Sequence, residues 1–122
     1  MRLLLDENLD WRLAASLPDF EIKSIRDMGW LGKKNGELMK LLGEYEFDIF
    51  LTADKNIPFQ QNLSQLAAAL WVIDAPDNSY STLLPFFDEI RSILISGPKP
   101  VHELRYISIP GISKGKKIKR IQ

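Results

Sequence analysis

The sequence predicts an α/β domain, a three-layer α/β/α arrangement around a mostly parallel central sheet. Three observations in the 122-residue chain predict it. Short apolar runs alternate with segments whose apolar residues recur at helical spacing, the pattern of β-α-β units. The runs Leu3-Leu4-Leu5, Ile49-Phe50-Leu51 and Leu70-Trp71-Val72-Ile73 are continuous rather than alternating, so each strand is buried on both faces. Polar clusters, Asp6-Glu7-Asn8 and Asp54-Lys55-Asn56, follow the first and third strand-like runs, where an open α/β sheet presents its ligands.

Arg2–Leu5 is the first strand. Asn8 or Asp10 caps a helix carrying Leu9, Leu13 and Leu17, and Pro18-Asp19 ends it. Phe20–Ile25 alternates as a second strand. Arg26–Gly36 reads as a loop broken by Gly29, Gly32 and Gly36, with Trp30, Lys33 and Lys34 as its contact surface. Asn35 is the expected cap of a helix over Gly36–Glu46, with the stripe Leu38, Leu41, Leu42 and Tyr45. Asp48–Thr52 is the third strand. Pro58 is well placed at the start of a short helix or turn that continues through Gln60, Gln61, Asn62 and Leu63. Leu70–Ile73 is the fourth strand. Ser79 or Ser81 caps a longer helix to about Ser96, with Pro85 tolerated near its first turn. Gly97-Pro98-Lys99-Pro100 is a break. Val101–Ile109 reads as a fifth strand at a sheet edge.

Length argues for one domain, placed at residues 1–112 and followed by a basic tail, 113–122. There is no cysteine, which removes disulfides and thiolate chemistry. The apolar runs fall far below the ~18 residues of a membrane span, and the start lacks the pattern of a signal peptide. A cytoplasmic protein with no membrane partner is expected. Net charge is zero but unevenly placed: residues 1–113 carry 11 Lys/Arg against 16 Asp/Glu, and all other basic residues lie beyond them. The tail is either a solvated end or a phosphate-tracking arm, with Lys116, Lys117, Lys119 and Arg120 as its contacts. Ile118 and Ile121 suggest packing onto something.

Parallel strands place Asp6 and Asp54 on one rim. Glu37, at a helix start favoured by the dipole, and Glu7 and Asp74 belong to the same rim. Carboxylates converging there repel each other unless a cation sits between them. Hard oxygen ligands suit Mg²⁺ or Mn²⁺, and such an ion activates water against a phosphodiester. Each acid is also explained singly as a cap or dipole partner. Lys55 either neutralises a carboxylate, contacts a phosphate or is a plain surface lysine. Gln60, Gln61 and Asn62 either line the cleft or cap backbone. His102, the sole histidine, lies away from the rim. No Walker or dinucleotide loop and no nucleophile elbow is present.

Taken together, Leu5-Asp6-Glu7-Asn8-Leu9, Asn35-Gly36-Glu37-Leu38, Leu51-Thr52-Ala53-Asp54-Lys55-Asn56 and Gln60-Gln61-Asn62-Leu63 resemble the PIN-like domains of unknown function related to toxins of bacterial toxin–antitoxin pairs. The resemblance covers about residues 1–96. It implies a parallel α/β fold with an acidic, Mg²⁺- or Mn²⁺-dependent ribonuclease site, an RNA substrate, a small antitoxin protein as partner, and homodimers. Carried over by motif, Asp6, Glu37 and Asp54 are catalytic metal ligands. Glu7 and Asn8 support them; by position, Lys55, Asn56 and Asp74 are further supporting candidates, and the loop residues Lys33 and Lys34 are candidates for nucleic-acid contact. Trp11, Trp30 and Phe86 are either dimer contacts or core. The departure is at the last acid: Asp74 is its best positional candidate, and Asn56 stands at a place suited to an acid. Two other readings stay open. One is a catalytically silent PIN-like module binding protein or RNA. The other is a phospho-acceptor domain, which needs an aspartate closing the third strand where Thr52 stands.

Overall fold

Three strands whose apolar residues are all buried, Arg2–Leu5, Ile49–Thr52 and Ala69–Asp74, lie side by side in the fold. The computed structural model describes residues 1–56, 67–96, 104–108 and 117–121, and the side chains of Asn35, Ser96 and the last two of these segments are not described. Strands β1 (Arg2–Leu5), β2 (Glu21–Ser24), β3 (Ile49–Thr52), β4 (Ala69–Asp74), β5 (Leu104–Ser108) and β6 (Lys117–Ile121) form one sheet in the order β2-β1-β3-β4-β5-β6. All neighbours are parallel except β5 and β6, which are antiparallel. The expected α/β class is therefore observed.

Alternate residues of the central strands feed two separate cores, because successive side chains point to opposite faces. Leu3, Leu5, Leu51, Trp71 and Ile73 pack with Leu13 of a 3₁₀ helix (Trp11–Ser16) and with Phe87, Ile90 and Leu94 of helix α3 (Phe87–Ser96). Leu4, Phe50, Leu70 and Val72 pack on the other face with Leu38, Met39 and Leu42 of helix α1 (Asn35–Glu44). The continuous apolar runs follow from this double coverage.

Local chemistry sets the element ends. Asp10 caps the 3₁₀ helix, its Oδ1 accepting the Arg12 N–H at 2.9 Å. Helix α1 starts at Asn35, one residue before the expected start, with extended Lys34 in the cap position. Glu46, in the left-handed region at φ 58°, follows its end. Ser79 caps helix α2 (Tyr80–Leu83), its Oγ accepting the Thr82 N–H. The single long helix expected from there to Ser96 is instead α2, a 3₁₀ turn Leu84–Phe86 and α3. Pro85 explains the change, since it cannot donate a helical hydrogen bond and tightens the turn that contains it.

Three further expectations are corrected. Trp30 is not a surface contact. It is buried and meets Tyr45 and Phe47 edge-on, with ring centroids 5.1 and 6.1 Å away, because the Gly29 and Gly32 turns (φ 74° and 83°) fold its indole under the loop. Strand β5 is not an edge. It lies between β4 and β6. The tail is not wholly solvated or arm-like, since Lys117–Ile121 is the edge strand β6, held by ladder hydrogen bonds to β5. Basic residues suit an edge strand because charge there opposes pairing with other chains. Pro58, Gln60, Gln61, Asn62, Leu63, the break at 97–100, His102 and Lys116 lie outside the described residues.

Two stability predictions follow from this packing. A Cβ added at Gly43 would stand 2.9 Å from the Ala67 Cβ. Gly43→Ala is expected to lower the melting temperature, although alanine alone favours a helix by about 1 kcal/mol; a higher melting temperature would show that the Ala67 segment yields freely. The Arg12 guanidinium beside Asp10, together with the capped N–H, holds the Asp10 carboxyl down from 3.8 to about 2. A depressed carboxyl contributes stability that is present above the unfolded value and lost as pH falls through the folded one. Asparagine caps as well as aspartate, so Asp10→Asn keeps the cap and removes the charge together with the acceptor for Arg12 Nη2. Thermal melts of the two proteins are expected to differ above about pH 4 and to converge toward pH 2.

Candidate functional site

The chain leaves β1 for β2 on one side and returns to β3 on the other. The carboxyl ends of β1 and β3 therefore flank a topological switch point, where open α/β sheets form their crevice. Asp6 directly follows β1. Its N–H donates to the Leu51 carbonyl at 2.9 Å, extending the β1–β3 ladder by one bond. Leu5 is in register with Leu51, which brings Asp6 beside Thr52, the last residue of β3.

The two sequence motifs are joined there by a chain of hydrogen bonds. The Asp54 N–H donates to Thr52 Oγ1 at 3.0 Å, and Thr52 Oγ1 donates to Asp6 Oδ2 at 2.5 Å. The Glu7 N–H donates to Asp6 Oδ1 at 2.8 Å. Asn8 Oδ1 accepts the Ala53 N–H at 3.3 Å, and Asp54 Oδ1 accepts the Asn56 N–H at 2.9 Å. Asp6 is only 8% exposed. Burial pushes its carboxyl above the ordinary value, and the Thr52 and Glu7 hydrogen bonds oppose that rise. The negative charges of Glu7 and Asp54 raise it further. Asp6, Glu7 and Asp54 thus share one electrostatic environment.

The remaining predicted residues are placed differently. Asp74 ends β4 and is ion-paired with Lys55, Nζ to Oδ1 2.9 Å. This bridge ties the exits of β3 and β4 together and neutralises Asp74. Glu37 lies in the first turn of α1 and pairs with Lys33 at 3.1 Å. Lys34 is exposed at the α1 cap position. Lys117, Lys119 and Arg120 belong to β6. Among the described residues, no group of three or more His, Cys, Asp or Glu is placed to hold a metal ion, and no helix is long and apolar enough to cross a membrane.

Two features were missed at the level of sequence. Thr52 is a buried hydroxyl that orients Asp6. The signal for it was a polar β-branched residue closing an otherwise apolar strand, since a buried hydroxyl requires a partner. The second is a cleft of about 790 Å³ beside Asp6 and Glu7, whose walls include Trp11, Arg26 and Leu31. It is built from residues far apart in the chain and left no local signature. Trp11 is exposed, whereas Phe86 packs against the core.

The donor chemistry fits Mg²⁺ or Mn²⁺. Mg²⁺ keeps several waters and takes only one or two protein carboxylates plus substrate phosphates. Asp6 and Asp54 are carboxylates of this type, and each Asp6 oxygen retains a lone pair beyond the hydrogen bond it accepts. Thr52→Val tests the support. Valine fills nearly the same space but leaves the Asp54 N–H without its acceptor and Asp6 without its hydroxyl donor. A stability loss of about 1–3 kcal/mol is expected from the unmet groups, measured by urea denaturation. A loss below that range would mean that water replaces the hydroxyl.

No family model, curated protein or solved structure matches this chain.

Proposed function

We propose that the chain is a PIN-like Mg²⁺- or Mn²⁺-dependent endoribonuclease of three-layer α/β/α fold, the toxin component of a toxin–antitoxin pair acting in the cytoplasm. The observation that carries the reading is the buried Asp6 carboxylate at the β1/β3 switch point, coupled to Glu7 and Asp54 and opening beside a cleft. Burying an acid with two other acids nearby costs stability, and such costs concentrate at functional sites.

In this reading Asp6 and Asp54 hold the cation. When bound, it supplies charge compensation at the phosphodiester and activation of water. Thr52 and the Glu7 N–H lock the Asp6 rotamer, and Asn8 fixes the β3 exit against the β1 exit. Among the described residues Glu37, at the start of α1, is not gathered with them into a three-acid group and would complete the acidic set by exchanging its partner Lys33. Its exposed pair with Lys33 is of a kind worth only ~0–1 kcal/mol, so it is readily exchanged. Lys33, Lys34 and the basic β6 strand provide phosphate contacts outside the acidic centre, and the antitoxin is the protein partner.

Incubation of the purified protein with single-stranded RNA and Mn²⁺ tests the proposal. Cleavage is expected from the natural chain and not from Asp6→Asn or Asp54→Asn, and expression of the natural chain is expected to slow growth. An intact RNA pool together with normal growth would sink it. The Lys55–Asp74 bridge favours a second reading, a silent PIN-like module that binds RNA or protein, because it occupies the carboxylate expected as the last acid. Calorimetric titration separates the two: no Mg²⁺ or Mn²⁺ binding at millimolar concentration supports the silent module.

A further inference from the structure

The cleft beside Asp6 has a composition that the acidic centre does not explain. Its walls include the indole of Trp11, which is 73% exposed, the half-exposed side chain of Leu31, and the guanidinium of Arg26. Trp11 and Leu31 together leave an apolar surface open to water on the walls of one cleft, and it is such a joint patch, not a single exposed residue, that marks a binding surface. Arg26 forms no ion pair or side-chain hydrogen bond among the described residues. Of the four acids lining the cleft, Asp10 is ion-paired with Arg12 at 2.6 Å and Asp27 Oδ2 accepts the Ser24 N–H at 2.9 Å, while Asp6 and Glu7 form the wall toward the acidic centre. The cleft therefore offers an aromatic platform and an available cation, adjacent to the carboxylate assigned to the phosphodiester.

We propose that this cleft is a nucleobase subsite, in which Trp11 stacks on one unpaired base and Arg26 takes the phosphate next to it. The inference rests on the nuclease reading for its substrate class, and it identifies the feature of RNA that is selected. Base–aromatic stacking tolerates any base, and a guanidinium binds phosphate oxygens in a bidentate fork. A volume of about 790 Å³ suits one or two nucleotides and not a duplex, whose bases are already stacked and paired. The subsite therefore selects single strands by shape and stacking rather than by base sequence. It lies between the 3₁₀ helix and the exit of β2, at the edge of the sheet opposite β6.

Tryptophan fluorescence tests it directly, because Trp30 and Trp71 are buried and quenching by a ligand reports Trp11. The probe is a single-stranded hexaadenylate RNA, titrated in chelator without divalent metal, so that binding is read apart from cleavage. Quenching is expected for the single strand and not for the same strand in a duplex. Trp11→Ala, read by fluorescence anisotropy of labelled RNA, is expected to bind about 10-fold or more weakly, and Trp11→Phe within a few-fold of the natural chain. Arg26→Gln is expected to reduce the salt slope of binding by roughly 0.7. Unchanged affinity in a folded Trp11→Ala would overturn the subsite, as would equal affinity for duplex. A Trp11 signal that changes with protein concentration alone would assign the surface to a second copy of the chain and overturn it too. Cleavage without Trp11 quenching would remove the subsite and leave the nuclease standing, whereas quenching without cleavage would do the reverse.

Discussion

Asp6→Asn is expected to abolish RNA cleavage while raising the melting temperature. The two effects have one cause. The carboxyl of Asp6 is buried and raised by that burial and by the charges of Glu7 and Asp54. The ionised form therefore costs folding stability at neutral pH: a carboxyl whose folded value is raised stabilises the fold only below its unfolded value, and that contribution is lost as pH rises through the folded one. Asparagine has nearly the same shape and no charge. Its amide oxygen accepts the Glu7 N–H, and its amide nitrogen donates to Thr52 Oγ1, which reverses the present bond and turns the Thr52 hydroxyl hydrogen away, a cost that removing the charge has to exceed. A gain of roughly 1 kcal/mol, a few degrees in melting temperature, is expected. Activity is expected to fall by roughly 100-fold or more, since even residues that only support metal ligands cost 10–100-fold when removed. Parallel thermal melts and cleavage assays check both. A variant that is inactive and also less stable would show that Asp6 serves the fold; one that still cleaves would remove Asp6 from the site.

Phe50→Ala is expected to have the largest effect on stability. Phe50 is only 1% exposed and lies on the middle strand β3, between Leu4 of β1 and Leu70 of β4 and under helix α1. Truncating a buried phenylalanine costs about 3–5 kcal/mol, as lost transfer energy plus the cavity left behind. That is a large part of the ~5–15 kcal/mol that a domain possesses. The urea midpoint should fall steeply with little change in slope. Leu31→Ala, on the exposed loop, should move stability by less than about 0.5 kcal/mol. A midpoint shift at Phe50 no larger than at Leu31 would mean that this face of the sheet is not a packed core.

The parts legible in the sequence were those whose cause is local. Leu3–Leu5, Ile49–Leu51 and Leu70–Ile73 announce strands covered on both faces, because no surface strand sustains such a run. Ser79 and Asp10 mark helix starts through hydrogen bonds made within a few residues, and Pro18 marks an end because it has no N–H to donate. Asp6 and Asp54 were legible as one rim because parallel strands fix where their carboxyl ends lie. The misreadings involve distant partners. Trp30 resembles a surface residue while only its glycine-rich neighbours are considered, and becomes core once Tyr45 and Phe47 are brought under the loop. The basic tail looks solvated until β5 offers it a ladder of hydrogen bonds.

For the site, the sequence by itself determined which acids follow the buried strands, and hence that Asp6 and Asp54 lie on the same rim of the sheet. Tertiary structure decided the rest. It paired Asp74 with Lys55 and Glu37 with Lys33, set Thr52 against Asp6, and opened a cleft between Trp11 and Arg26. The physical reason is the range of the forces involved. Hydrophobic periodicity is written into adjacent residues, whereas ion pairing, desolvation and the shape of a cleft depend on groups that meet only after the chain has folded.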